Sequence, residues 1–485
     1  MVGSCARRAT DVLSTERFVV TPDRAAESFS APALKLTCSE GMFMRTPLSM
    51  ASYPALAFRL AESNPELLQA SLAAALSRHR WLAGRLRELT IELTDEGVPF
   101  TVEKSAQQSA PATVQELELL RFADFRRPGR VLRGLEPLAT VKLTQFQDGS
   151  AILAVSRSHG VMDGSSAWAF LGDWARAARG EEMVAARTEG LEELVPDEAE
   201  LKSLWVERFG EPFGRTEKLK AMLARSVMPM VTPVLDIAFL SGLSGDLERP
   251  HLFFSDAEIA AIKAAATPTA AGSWVTTQEA MSAYILHTVG HVLLPDASAG
   301  RVATTFFLDA RKALGRGPQE MWGSGLIFLT VKFEGLLQMS LWEVAACLHD
   351  ASREQLSQKE IRTMWRLTAG CMQAGCDVAM FRKTMPMSSD YDICLQLNNQ
   401  SKRELPDFGQ AASGGQAQSV MTNAGPTLML PAAGGVDLYL DLGTLRAARG
   451  PSERTAALDA LKRSVPKFKT LDAGDHAQQA AAGGA

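Results

Sequence analysis

Apolar residues recur at helical spacing over residues 65–86 (PELLQASLAAALSRHRWLAGRL), with Leu68, Leu72, Ala75 and Leu76 on one face, until Gly84 breaks the run. A period of three to four residues predicts an amphipathic helix, and Pro65 is tolerated in its first turn, where a missing N–H has no intrahelical partner to lose. Further along, Thr140 to Phe146 (TVKLTQF) and Ala151 to Val155 (AILAV) flank Gln147-Asp148-Gly149-Ser150. Asp-Gly between two apolar runs predicts a hairpin, because glycine supplies the positive φ of a tight turn. The second run is apolar on both faces, so a buried strand is expected. It leads into residues 156–168 (SRSHGVMDGSSAW), and Ala167, Phe170, Leu171, Trp174, Ala175 and Ala178 then form a helical stripe that stops near Arg179-Gly180. His159 thus falls in a short connection from a buried strand to a helix, with Asp163 at or just before the helix start. Rigid elements on both sides of a loop are a common setting for a functional side chain.

From about Gly180 to Ser244 the pattern is less regular, with an acidic stretch (GLEELVPDEAELK) and a Pro-interrupted apolar segment at residues 227–240, and it reads as a crossover. A second unit begins near His251. FSDAEIAAIK predicts a helix with Ser255 as N-cap and Glu258 three residues later, the two halves of a capping box. Residues 274–294 contain another helix, and residues 302–308, 326–333 and 437–442 read as strands. The expected division is 1–190 as a first domain, 191–245 as a linker, 246–465 as a second domain and 466–485 as a disordered tail. A chain of 485 residues exceeds one ordinary core, which agrees with two domains.

Composition narrows the function classes. The chain is 46% apolar and 22% charged with a formal charge of −5. That is globular composition with no electrostatic reason to bind nucleic acid or an anionic membrane. Cys5, Cys38, Cys347, Cys371, Cys376 and Cys394 include no CxxC pair, so neither a metal site nor a disulfide framework is expected. The N-terminal residues have no apolar core of a secretory signal, although Arg7 and Arg8 leave organelle targeting open. The 227–240 segment is too short to span a bilayer and is interrupted by Pro229, Pro233 and Asp236. A reduced cytoplasmic monomer without a transmembrane segment is the expectation.

Among chemistry-bearing patterns, His159 and Asp163 stand first. An isolated HxxxD match arises by chance about 0.3 times in a chain with this many histidines, so the spacing alone carries little. Histidine suits proton abstraction near neutral pH. The spacing is equally compatible with Asp163 orienting the imidazole, capping the helix, or pairing with an arginine elsewhere, and with His159 being a structural loop residue. His287 and His291 (HTVGH) share a helix face but lack the glutamate of HExxH, and core or surface histidines are the simpler reading. His79 reads as solvated. Gly315-Arg316-Gly317 lacks the third glycine of a dinucleotide loop, and neither a Walker A pattern nor a GxSxG elbow occurs.

HGVMDG preceded by that hairpin resembles the plant- and fungus-type BAHD acyltransferases, acyl-CoA-dependent enzymes with an HxxxDG signature. Five further stretches match in order: LLQASLAAALSRHRWLAGRL, with Trp81 in place of a proline; the LTQFQDGSAILAV hairpin; FSDAEIAAIKAAA followed by TTQEAMSAYI; FFLDARKAL followed by WGSG; and LPDFGQAASG at the position of a DFGWG motif. The resemblance covers roughly residues 18–450. It departs at Gln410 and Ala411, which stand where the family has Trp and Gly, and at LNNQS, where many members have a Ser-Trp-Thr-like segment.

The resemblance implies an α/β (α+β) fold of two chloramphenicol-acetyltransferase-like domains, each a mixed sheet with flanking helices, and a channel between them. It implies acyl-CoA as co-substrate, no permanently bound cofactor or metal, and a small-molecule acceptor hydroxyl or amine deprotonated by His159. For Asp163 it implies a salt bridge away from substrate, with Arg311 of the DAR segment as partner. Gly160 and Gly164 are expected to let the backbone turn tightly. Asp309, Asp407 and Gly409 take structural roles, with ordinary strand-end and turn residues as the alternative for the two aspartates. Asn398 and Asn399 are candidate acceptor contacts, and Lys402 and Arg403 candidate coenzyme phosphate contacts, against turn residues and solvated charges respectively. A catalytically silent relative that binds a ligand or a protein is a second reading. A wax-ester or condensation-type enzyme is a third, but those typically carry HHxxxDG, and here Ser158 occupies the first position.

Overall fold

Strands apolar on both faces and helices apolar on one sort into two six-stranded mixed sheets, each covered by its own helices. The computed structural model describes residues 11–23, 33–36, 55–88, 90–111, 119–183, 195–213, 219, 223, 251–267, 274–294, 301–311, 314–315, 324–355, 357–376, 380, 383–384, 391–413, 416–420, 427–440, 452–453 and 455–463. The 227–240 segment, Cys5, Cys38, Arg316-Gly317, Trp322-Gly323, residues 441–442 and the tail after Pro466 lie outside them.

The first half supplies β1 (Val12–Val20), β2 (Ala55–Leu60), α1 (Pro65–Arg78), β3 (Val98–Ser105), β4 (Ala139–Gln145), β5 (Ala151–Arg157) and α2 (Gly164–Ala178). Then come α3 (Glu198–Phe209), β6 (His251–Ser255), α4 (Asp256–Ala266), α5 (Thr277–Leu293), β7 (Val302–Asp309) and β8 (Leu326–Phe333). The chain continues through α6 (Leu341–Gln355), α7 (Gln358–Gln373), β9 (Ile393–Asn399), β10 (Gln416–Val420), β11 (Thr427–Ala432) and β12 (Gly435–Tyr439).

The first sheet runs β1-β3-β4-β5-β2-β10 and the second β6-β12-β11-β9-β7-β8. β4 and β5 form the hairpin, antiparallel with Gln145 opposite Ala151. β10 comes from late in the chain yet pairs antiparallel with β2, Val420 opposite Ala55. Just before it, Ala412–Ser413 pairs with Glu62–Ser63. A single cut through the crossover therefore leaves one strand of the first sheet on the far side.

α1 and α2 cover the first sheet. Leu68, Leu72, Ala75 and Leu76 of α1 and Phe170, Leu171 and Trp174 of α2 lie in one core. Each large apolar side chain so buried contributes about 1.5–3 kcal/mol. Trp174 Nε1 donates to Ser71 Oγ (3.0 Å), which removes the cost of burying the indole N–H. The apolar run of residues 65–86 is not one helix: α1 ends at Arg78, a 3-10 turn spans Arg80–Ala83, and a short strand follows at Arg85–Arg87. A Cβ at Gly84 would lie 2.3 Å from the Glu92 carbonyl oxygen, so that turn accepts only glycine.

Two expectations need correction. His79 is buried, not solvated, because its Nε2 sits 2.9 Å from Asp173 Oδ2. The crossover is also not wholly irregular: α3 starts at Asp197, whose side chain accepts from Glu200 N, and its Leu201 and Trp205 pack with Trp365 and Met364 of α7 in a separate core.

Candidate functional site

The connection between β5 and α2 presents His159. Both flanking elements are locally specified: β5 is buried along its whole length and α2 buries one apolar stripe. Asp163 is the N-cap of α2, in extended conformation, with its Oδ1 accepting from Ser166 N at 2.8 Å. Its other oxygen accepts from Arg311 Nη1 at 3.0 Å and from Gly325 N at 2.9 Å. Arg311 follows β7 and Gly325 precedes β8, so this carboxylate ties the first helix after His159 to the second sheet.

Asp163 and Arg311 are both 0% exposed. Burial by itself raises the Asp163 pKa, but the Arg311 charge and the bonds from Ser166 and Gly325 outweigh it and hold the carboxyl below its ordinary value. Burial lowers the Arg311 pKa, and the charges of Asp163 and Asp309 overcome that and raise it. Asp309 Oδ1 lies 3.0 Å from Arg311 Nη1 and also accepts from Arg311 N, while Arg311 Nη2 donates to Ser166 Oγ at 2.7 Å. A buried pair is tolerable when its remaining lone pairs and protons are satisfied in this way.

His159 is half-buried, and its neighbours set it apart from Asp163. Desolvation, then the nearby Arg157 charge, pull its pKa down from 6.5 to about 4 against the weaker upward pull of Asp163. The imidazole is therefore neutral at physiological pH, the state a proton acceptor requires.

The backbone turns at Gly160, where Val161 N donates to Ser158 O at 3.3 Å, and neither Gly160 nor Gly164 has a positive φ. Gly164 serves close approach instead: a Cβ there would stand 3.2 Å from Gln400 Nε2. Gln400 follows β9, and its Nε2 donates to Asn398 Oδ1 at 2.5 Å. Asn399 Oδ1 accepts from Ser401 N (2.9 Å) and Ser401 Oγ (2.6 Å), closing a turn. Arg403 Nη2 donates to Ser165 Oγ at 2.7 Å and its Nε to Gln400 Oε1 at 3.2 Å. Lys402 and Asn399 line a recess of about 270 Å³ with Thr276, Gln278 and Phe306.

Asp407 and Gly409 lie elsewhere. The Asp407 side chain is 74% exposed and accepts from Gly409 N at 2.9 Å. Gly409 adopts φ +58, where a side chain is strained, and Arg179 packs on it while donating to the Asp407 carbonyl. Phe408 between them is buried edge-on to Trp174 at 5.1 Å. This segment fastens α2 from its C-terminal end. His287 and His291 bond to each other through their Nε2 atoms (3.2 Å) on α5. Among the described residues no group of three or more His, Cys, Asp or Glu is arranged to hold a metal, and no helix is long and apolar enough to cross a membrane.

Sequence reasoning did not find Gly325 N–H, Ser166 Oγ, Gln400 or the Arg403–Ser165 bond. WGSG marked a glycine turn, but nothing local aimed its amide at Asp163.

Residues 16–209 match a model described as the Transferase family. Akuammiline synthase 2 of Alstonia scholaris is 30% identical over 158 residues, covering 31% of this chain and 35% of that protein. Taxadien-5-alpha-ol O-acetyltransferase of Taxus chinensis is 35% identical over 131 residues, covering 24% of this chain and 28% of that protein. The matched stretch thus spans about a third of the length of such curated relatives. The fold likeness is wider. Vinorine synthase superposes with TM-score 0.59 at 15% identity over 92% of this chain and 98% of its own. The TRI101 protein of F. sporotrichioides, solved with coenzyme A and T-2, gives TM-score 0.61 at 16% identity over 87% and 98%. The fold is that of the two-domain acyltransferases of chloramphenicol-acetyltransferase type. Over residues 16–209 the chain is thus similar to a transferase family, and its relatives include BAHD acyltransferases of Arabidopsis thaliana, one 35% identical over 113 residues.

Proposed function

We propose that the chain transfers an acyl group from acyl-CoA to a hydroxyl or amine of a small molecule, with His159 as general base. The observation that carries this reading is the division of labour in the β5–α2 connection. Asp163 is fully buried, and its three hydrogen bonds come from Ser166, Arg311 and Gly325, whereas His159 keeps part of its surface open and is neutral. His159 would take the proton of the acceptor as its oxygen or nitrogen attacks the thioester carbonyl. The tetrahedral intermediate would collapse with loss of CoA thiolate, which recovers the proton from the imidazolium. No covalent acyl-enzyme forms. Coenzyme A in a structural neighbour and acyltransferase names among the relatives support the donor class.

A condensation domain of an antibiotic synthetase shares the fold at TM-score 0.57 and 14% identity. Ser158 in place of a first histidine favours the CoA-dependent reading over that one. The test is release of free thiol from acetyl-, longer acyl- and aromatic acyl-CoA with a panel of alcohols and amines. Wild-type protein is expected to turn over, and His159→Ala to fold normally with turnover reduced about 100-fold or more. Wild-type rates from His159→Ala would reject the base, and acceptor-dependent turnover absent across the panel would favour a silent binding relative.

A further inference from the structure

The first turn of α2 is held from two directions. Asp163 and Ser166 are gripped by Arg311 and Gly325. On its other residues, Gln400 lies against Gly164, and Arg403 bonds Ser165 through one arm and Gln400 through another. Gln400 is itself fixed, its N donating to Met429 O at 2.8 Å and its side-chain amide to Asn398. Asn398, Gln400, Arg403 and Ser165 thus form one hydrogen-bonded chain from the end of β9 to the helix turn directly after the His159 loop. A guanidinium already bonded to a buried hydroxyl and an amide oxygen is a poor candidate for a phosphate contact.

From this geometry we infer that Arg403 is a positioning residue, which with Gln400 braces the start of α2 against the end of β9 and so fixes where His159 sits. The inference rests on the acyl-transfer reading for its kinetic consequences and on the contacts alone for its structural ones. Placement of a general base is sensitive: a displacement of about 1 Å costs on the order of 100-fold in rate. The fork geometry matters, because a lysine at 403 reaches one of the two acceptors, not both.

The experiment compares wild type, Arg403→Ala, Arg403→Lys, Gln400→Ala and, as a control on the same loop, Lys402→Ala. Initial rates give kcat and KM for acyl-CoA at saturating acceptor, thermal melts give stability, and hydrogen exchange follows the peptides covering residues 158–166. Arg403→Ala is expected to lower kcat about 10- to 100-fold with KM for acyl-CoA within about twofold and little change in Tm. Arg403→Lys should recover part of kcat, and Gln400→Ala should follow Arg403→Ala. Exchange over 158–166 should quicken in both alanine variants and not in Lys402→Ala. A raised KM with unchanged kcat would overturn the inference in favour of a coenzyme contact. Unchanged exchange over 158–166 would overturn it whatever the kinetics. A wild type without turnover would reject the acyl-transfer reading alone, and the exchange data would still decide the brace.

Discussion

At the residue scale, the pH profile separates His159 from an ordinary exposed histidine. Its pKa is pulled from 6.5 to about 4, chiefly by desolvation. A base that must be neutral works above its own pKa, so kcat/KM is expected to hold from neutral pH down to about 5 and to be half lost near 4. The same shift couples to stability. Between pH 6.5 and 4 the unfolded chain binds a proton at this ring that the folded chain refuses, so stability falls as pH drops through that window. An acid limb near 6.5, measured under conditions where the fold is intact, would mean that water reaches the ring in the free enzyme. The spacing of the HGVMDG stretch located this residue and left Asp163 as an orienter of the ring, a helix cap or an arginine partner, and the family resemblance named Arg311. The cap and the Arg311 bond are both present, and the third donor, Gly325 N, was not anticipated. Arg311 and Gly325 lie 148 and 162 residues away.

At the scale of elements, local patterns were enough where the stabilising interactions are local. The hairpin of β4 and β5, the stripe of α2 and the capping box of α4 each follow from neighbours within a few residues, and each forms. What was missed joins elements far apart in sequence. His79 looked solvated because Asp173, 94 residues on, is invisible to periodicity, and Arg403 looked like a free charge because Ser165 is 238 residues before it. Gly325 is the sharpest example. A Cβ there would stand 2.9 Å from Arg311 Cγ and Nη1, so glycine at this position is what lets the guanidinium lie against the main chain and reach Asp163. Gly325→Ala is accordingly expected to push Arg311 off Asp163. Removing one partner of a buried pair costs about 3–5 kcal/mol, and the second contact to Asp309 places this variant toward the lower end. Denaturant melts of Gly325→Ala, Asp163→Ala and the double variant provide the check. The two losses should be strongly less than additive, whereas additive losses would show that Gly325 acts independently of the pair.

At the scale of the whole molecule, the two sheets are joined by more than the crossover. The late segment carrying Asp407 to Val420 returns to the first sheet, where Phe408 fills the core beside Trp174, Ala411 accepts from Asn64 N, and β10 covers the edge of β2. In the other direction the first half depends on Arg311 and Gly325 to neutralise and bond Asp163. A fragment of residues 1–245 would lose the arginine and the amide that bond Asp163, the strand that covers the edge of β2 and the Phe408 side chain of the core. Loss of a core phenylalanine alone costs about 3–5 kcal/mol, a large share of the net stability of a whole domain. The fragment is therefore expected to show no cooperative thermal transition alone, and to gain one when co-expressed with residues 246–485. A cooperative melt of the isolated fragment near that of the intact chain would mean that each sheet carries its own stability. The cross-sheet contacts would then act only to place His159, and the cost of Gly325→Ala would appear in kcat, not in the melt.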